Sequence, residues 1–171
     1  MKKTLPWIGF VLTICWMGVI FYFSSRTSGE IDVEKGFIMD ICKALYGNDR
    51  LNSLPDNEKN RVLSNMSFII SKCAHYLEYG VLSLFIFIAC INFKKYNIRF
   101  IVCMIISILY AISDEYHQSF TSGRYPRLLD VIYDSMGALT MVLMIVLILN
   151  ICNIIRIGKK NDWYTFTSFW F

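Results

Sequence analysis

Leu5 to Phe23 is an uninterrupted apolar run of about 19 residues, and it is the first of four such runs in the chain. Helices of this length cross the hydrocarbon core of a bilayer, and in water their apolar surface has nowhere to go. The second run is Cys73 to Phe93, with Glu78 inside it, and the fourth is Leu128 to Ile155, with Asp130 and Asp134 near its start. The third, Phe100 to Ile112, has only about 13 apolar residues and spans only if its helix continues through Ser113-Asp114-Glu115-Tyr116-His117-Gln118. The pattern predicts an all-α, integral membrane four-helix bundle. The expected spans are 5–23, 70–93, 99–118 and 128–155, a membrane domain over 1–155 followed by an interfacial tail over 156–171.

Composition agrees with a membrane class. At 171 residues there is room for one domain, yet 56% of the residues are hydrophobic and 18% charged. A soluble domain this small lacks the interior volume to hide so much apolar surface. The net charge of +4 is spread along the chain, without the basic stripe that a nucleic-acid surface requires. Six cysteines occur, with neither CxxC nor a His-linked spacing, so a structural zinc site is not indicated. A Cys42–Cys73 disulfide is conceivable, but free thiols in apolar surroundings are the better reading.

Basic residues set the expected orientation. Lys2 and Lys3, then Lys94, Lys95 and Arg99, then Arg156, Lys159 and Lys160 fall at one end of the bundle. Short loops rich in Lys and Arg stay cytoplasmic, which puts both termini in the cytoplasm and the Ser119–Arg127 loop outside. The first span is read as an uncleaved helix, because Phe21-Tyr22-Phe23-Ser24-Ser25 is a poor cleavage site. The segment 29–65 would then be extracytoplasmic and helical. Ile31, Phe37, Ile38, Ile41 and Leu45 form one apolar face, as expected of a helix lying on the outer surface. Gly47-Asn48 stops that helix, and Ser53, Pro55 and Asp56 start another that can run unbroken into the second span. The aromatic tail (Trp163, Tyr164, Phe166, Phe169, Trp170, Phe171) suits a headgroup interface.

The polar residues within the spans gather at the outer end. Lys72, His75, Glu78 and Tyr79 open the second span from outside, Asp114, Glu115, His117 and Gln118 close the third, and Asp130 and Asp134 open the fourth. Lys72, His75 and Tyr79 share a helical face, as do Asp114 with Gln118 and Asp130 with Asp134 and Gly137. Gly137 permits a close helix approach. Charges at membrane depth face the bundle interior, pair with one another, and mark function. The acids outnumber Lys72, Arg124 and Arg127, so a carboxyl is protonated or a further cation completes the site.

At these residues the sequence resembles the VanZ-like family of small bacterial membrane proteins. The resemblance rests on Phe23-Ser24-Ser25, Lys72-x-x-His75-x-x-x-Tyr79, Asp114-Glu115-x-x-Gln118, Gly123-Arg124, Asp130 and Asp134-x-x-Gly137, and extends from the first span through the fourth. Two positions depart from the family pattern. Arg26 stands where Gln is common after the Ser-Ser pair, and Asp134 stands where Asn is common. The resemblance implies a Gram-positive-type envelope and an association with resistance to lipid-tailed glycopeptides such as teicoplanin; it implies no particular reaction.

Four readings stay open at this point. In the first, an outer-leaflet pocket binds an anionic or lipid-linked headgroup through Lys72, His75, Tyr79, Asp114, Glu115, Gln118, Arg124, Asp130 and Asp134, with Arg gripping a phosphate or carboxylate bidentately and Lys as a point charge. The partner is then a membrane lipid or lipid-linked cell-wall intermediate. In the second, the chain is an enzyme, a phosphoester hydrolase or transferase, with His75 as base or nucleophile, Asp114 or Glu115 as its orienter or the acid, and Arg124 as anion clamp. A metal held by His75, Asp114 and Glu115 is a variant of it; no cofactor is named by the sequence. The third, an ion-coupled transporter, meets plainly apolar cytoplasmic halves of the spans. The fourth is a structural charge network without a ligand. Ser24 and Ser25 read as a helix terminus, and Arg127 as a side chain reaching to headgroup phosphates.

Overall fold

The structure, a computed structural model, describes residues 4–25, 32–93, 95–120 and 126–160. The helices run in the order α1 (Leu5–Ser24), α2 (Asp32–Tyr46), α3 (Asn48–Asn52), α4 (Asp56–Ala89), a 3-10 turn (Cys90–Asn92), α5 (Tyr96–Gln118) and α6 (Leu128–Lys160). Among the described residues, four helices are long and apolar enough to cross a membrane: α1, α4 with its terminal turn, α5, and α6 as far as Cys152. The bundle therefore has the class and span number expected. The third helix does continue through Asp114 to Gln118, and α4 does run unbroken from Asp56 into the second span.

Local chemistry sets the helix ends. Pro6 sits in the first turn of α1, where its missing N–H leaves no bond unmade. Gly47 adopts φ +84°, a left-handed conformation that residues with a Cβ rarely accept, and it separates α2 from α3. Pro55 is extended ahead of α4, and Asp56 and Glu58 place negative charge in its first turn, where the helix dipole favours it. At the other end of α4, Arg99 donates from Nε to the Phe93 carbonyl (2.7 Å) and from Nη2 to the Ile91 carbonyl (2.8 Å). Its guanidinium also lies against Tyr96 and Phe87, so one cation satisfies carbonyls that the finished helix leaves open.

α4 is the centre of the bundle, packed by α1, α5 and α6, with α5 and α6 also against each other. Ile20, Tyr79, Leu82, Ile86, Cys103 and Val142 form the interior. Trp7, Phe10, Val11 and Ile14 on α1, and Ile101, Ile105, Leu109 and Ile112 on α5, are exposed. Such faces suit lipid rather than water. Two crossings depend on glycine. A Cβ on Gly137 would strike the Tyr76 carbonyl of α4, and a Cβ on Gly9 would strike the α4 backbone at Ala89. Small residues of this kind let helices approach closely where no hydrophobic effect drives them together.

At 34 residues, α4 is about 51 Å long, well beyond the ~30 Å hydrocarbon core. Its first half carries a second, smaller core. Ile38 and Cys42 of α2 and Leu51 of α3 are buried there, with Val62, Leu63, Met66 and Ile70 of α4 around them. The apolar face expected of α2 is only partly in contact with protein. Ile38 packs on protein, Phe37 and Leu45 remain exposed, and Ile41 is half-buried; Ile31 lies outside the described residues. Cys42 is part of the packed face beside Ile38. The six cysteines are free, with Cys42 buried and Cys73 exposed. The aromatic tail lies outside the described residues.

Candidate functional site

The ends of three helices and the middle of α4 meet at one end of the bundle. α1 and α5 finish there, α6 begins there, and α4 passes through at Lys72–Tyr79. The polar residues lie in a rim and a deeper layer; Gln118 and Asp114 on α5, and Asp130 and Asp134 on α6, are each one helical turn apart, about 5.4 Å. Asp130, Gln118, Glu115 and Lys72 make the rim. Asp134, Asp114 and Tyr79 lie deeper.

In the rim, Lys72 Nζ lies 2.6 Å from Asp130 Oδ2, joining α4 to α6. Glu115 Oε1 accepts the Arg127 backbone N–H at 2.5 Å, which ties the chain entering α6 to the end of α5. Gln118 donates from Nε2 to Asp114 Oδ2 (3.0 Å), one turn back along α5 and from rim to deeper layer. The Ser24 hydroxyl at the end of α1 faces the same Asp114 carboxyl.

The deeper layer is almost sealed. Tyr79 is 0% exposed, Asp114 3% and Asp134 5%. Asp134 and Asp114 are within electrostatic reach of each other, of His75, and of the Tyr79 hydroxyl. The Tyr79 hydroxyl and Asp114 Oδ1 are both buried without a hydrogen-bond partner, as is His117 Nδ1. Buried polar atoms in folded proteins are nearly always paired. A buried polar oxygen without a protein partner is one that a water or a ligand group can meet.

His75 has its nearest carboxylate on its own helix. Its Nδ1 bonds Glu78 Oε2 at 2.9 Å, and Asp114 and Asp134 are within electrostatic reach of it. The reason is local: three residues along one helix is a shorter reach than any crossing. Among the described residues no group of three or more His, Cys, Asp or Glu side chains is disposed to hold a metal ion. His117 lies with its ring against Phe21 of α1, centroids 4.1 Å apart. Arg127 contributes its backbone to Glu115, and its side chain is exposed. Arg124 and Gly123 lie outside the described residues.

Sequence reasoning missed several supports of the site. Trp16 Nε1 donates to the Glu78 carbonyl (2.9 Å), and the Tyr110 hydroxyl to the Met17 carbonyl (2.5 Å), so α1 is bonded to α4 and α5 just below the acids. The Tyr110 ring lies 6.1 Å from that of Tyr79. The Tyr76 hydroxyl donates to Thr140 Oγ1 (2.6 Å) across α4 and α6. Each of these residues reads in the sequence as an ordinary apolar or interfacial side chain. The one signal available was aromatic N–H and O–H groups at membrane depth, which require partners.

A family model described as VanZ/LLP1 matches residues 9–150. No curated protein and no solved structure matches the chain.

Proposed function

The chain belongs to the VanZ/LLP1 family, and from that premise we propose that it is a multi-pass cell-envelope protein whose polar end binds the headgroup of a membrane lipid or lipid-linked cell-wall intermediate from the extracytoplasmic side. The observation that carries this reading is the pair of buried, unpartnered oxygens, Tyr79 Oη and Asp114 Oδ1, beneath a rim of charged side chains. Intramembrane polar groups are costly, and a set that is only partly satisfied internally is a binding site by default. Orientation is supported by Lys95 and Arg99 at the opposite end of the bundle, since short basic loops stay cytoplasmic. The link to teicoplanin that the family resemblance implies would follow if the bound headgroup is one that a lipid-tailed glycopeptide engages or displaces.

The test is native mass spectrometry of the protein purified in mild detergent, beside Asp114→Asn and Tyr79→Phe. A co-purifying lipid lost in both variants, at unchanged melting temperature, supports a headgroup site. Equal lipid in all three, or none in any, sinks it. Expression in a susceptible host with and without teicoplanin tests the resistance link separately.

A second reading rests on the bond between His75 Nδ1 and Glu78. An imidazole held by a carboxylate through one nitrogen leaves the other for general base work, as in a hydrolase acting on a lipid-linked phosphoester. Turnover of a prenyl diphosphate, abolished by His75→Ala and reduced by Glu78→Gln, would favour it. No phosphate release from the wild-type chain would dismiss it for that substrate.

A further inference from the structure

The charges at the polar end do not balance among the described residues. Lys72 is committed to Asp130, and His75 to Glu78. No described Lys, Arg or His lies within salt-bridge distance of Asp114 or Asp134. Yet these two carboxyls are the most deeply placed acids of the site, 3% and 5% exposed. They belong to α5 and α6, whose sequence positions are separated by the loop that turns the chain back, and the bundle brings them within electrostatic reach of each other. A charge at membrane depth is tolerated when a partner of opposite sign or a proton meets it.

From this we infer that the deep layer receives a protonated amine, and that the headgroup bound at the polar end is that of an amine-bearing phospholipid, its ammonium against Asp114, Asp134 and Tyr79 and its phosphate at the rim. This rests on the headgroup-binding reading above and names its substrate class. The ammonium offers three N–H donors. Asp114 Oδ1 and the Tyr79 hydroxyl oxygen are two acceptors that are buried and unpartnered, and a carboxylate neighbour supplies the charge. A neutral hydroxyl would satisfy one oxygen and leave the negative charge in place. At the rim, Lys72 spends one of its three donors on Asp130 and keeps others for a phosphate oxygen. Along α6, Asp130, which holds Lys72, and Asp134 of the deeper layer are one helical turn apart, about 5.4 Å, a separation that a short amino-alcohol bridges between its ammonium and its phosphate. Tyr79, Asp114 and Asp134 come from three different helices, so the deep site exists only in the assembled bundle.

The experiment is a competition in mixed micelles read by native mass spectrometry. The purified full chain is offered equal amounts of phosphatidylethanolamine, phosphatidylcholine and phosphatidylglycerol with identical acyl chains. The expected result is retention of phosphatidylethanolamine at least 5-fold above the other two, because the choline ammonium has no N–H to donate and the glycerol headgroup has no positive charge. Asp134→Asn and Asp114→Asn are each expected to reduce that preference at least 5-fold while the melting temperature, measured in parallel, stays within a few degrees. Addition of soluble phosphoethanolamine distinguishes the lipid from its free headgroup: displacement of the lipid at millimolar concentration shows the headgroup chemistry alone suffices. Wild-type retention of phosphatidylglycerol or phosphatidylcholine at or above the level of phosphatidylethanolamine overturns the ammonium assignment and leaves headgroup binding standing. Retention of no lipid above the annular background overturns both. A preference for phosphatidylethanolamine that survives both aspartate variants moves the amine away from the deep layer and overturns the placement.

Discussion

Lys72 of α4 and Asp130 of α6 hold each other at 2.6 Å, the shortest bond between charged side chains among the described residues and the one that crosses the two most extensively packed helices. Both side chains are largely covered, so the pair behaves as a unit. Removing one member leaves the other partly buried without a counter-charge. Lys72→Ala is therefore expected to lower stability by about 1–3 kcal/mol. The double change Lys72→Met with Asp130→Leu is expected to recover most of it, because an apolar pair of similar volume carries no desolvation penalty. Thermal unfolding in one detergent checks both, and recovery of stability without recovery of lipid retention separates binding from scaffolding.

Gly137 tests the α4–α6 crossing from its backbone side. Gly137→Ala places a methyl group against the Tyr76 carbonyl, and that backbone has no rotamer by which to move aside. Overpacking of this kind typically costs about 1–3 kcal/mol. Gly18 is the control, a helical glycine with open space where its Cβ would be. Gly18→Ala should leave the melting temperature unchanged or raise it, since alanine favours helix. Equal effects at the two glycines would contradict the close crossing.

Tyr110→Phe removes the hydroxyl that donates to the Met17 carbonyl and keeps the ring beside Tyr79. A loss of about 0.5–1.5 kcal/mol is expected, the net worth of one such bond. Trp16→Phe should act similarly by releasing the Glu78 carbonyl. Because both bonds tie α1 to its neighbours, the double variant should make α1 the first helix to show amide hydrogen exchange. Exchange unchanged in α1 would show that packing alone holds it.

Orientation has a direct test. A single reporter cysteine in an otherwise cysteine-free chain, at Ser53 or at Lys95, should react with a membrane-impermeant maleimide on intact cells only at position 53. The two sites lie at opposite ends of the bundle, 53 in the turn between α3 and α4 and 95 in the turn before α5. The reverse labelling would place the polar end in the cytoplasm and remove the extracytoplasmic reading of the site.

Much of the architecture was legible one residue at a time. The Leu5–Phe23 run needed no partner to be read as a span, and the extension of the third helix through Asp114 to Gln118 followed from bilayer thickness alone. Periodicity placed Lys72, Asp114 and Asp130 at the same end of the bundle, because antiparallel helices of fixed rise bring sequence position to depth. On α2 it ranked residues by apolarity, and the contact that α2 makes with α4 takes in Cys42 beside Ile38, which that ranking had left out.

By itself, then, the sequence determined how many helices are long and apolar enough to cross a membrane and which of their ends carry the charges, since these depend on length, composition and rise per residue. Only the tertiary structure decided partnership. That Lys72 meets Asp130, that His75 settles on Glu78, that Trp16 and Tyr110 fasten α1, and that Asp114 and Tyr79 keep oxygens unpaired all depend on the rotation of each helix about its axis and the angle at which it crosses its neighbours. Those angles are set by many small contacts summed over helices far apart in the chain, among them the bare backbone of Gly137 against Tyr76, and no single segment encodes them.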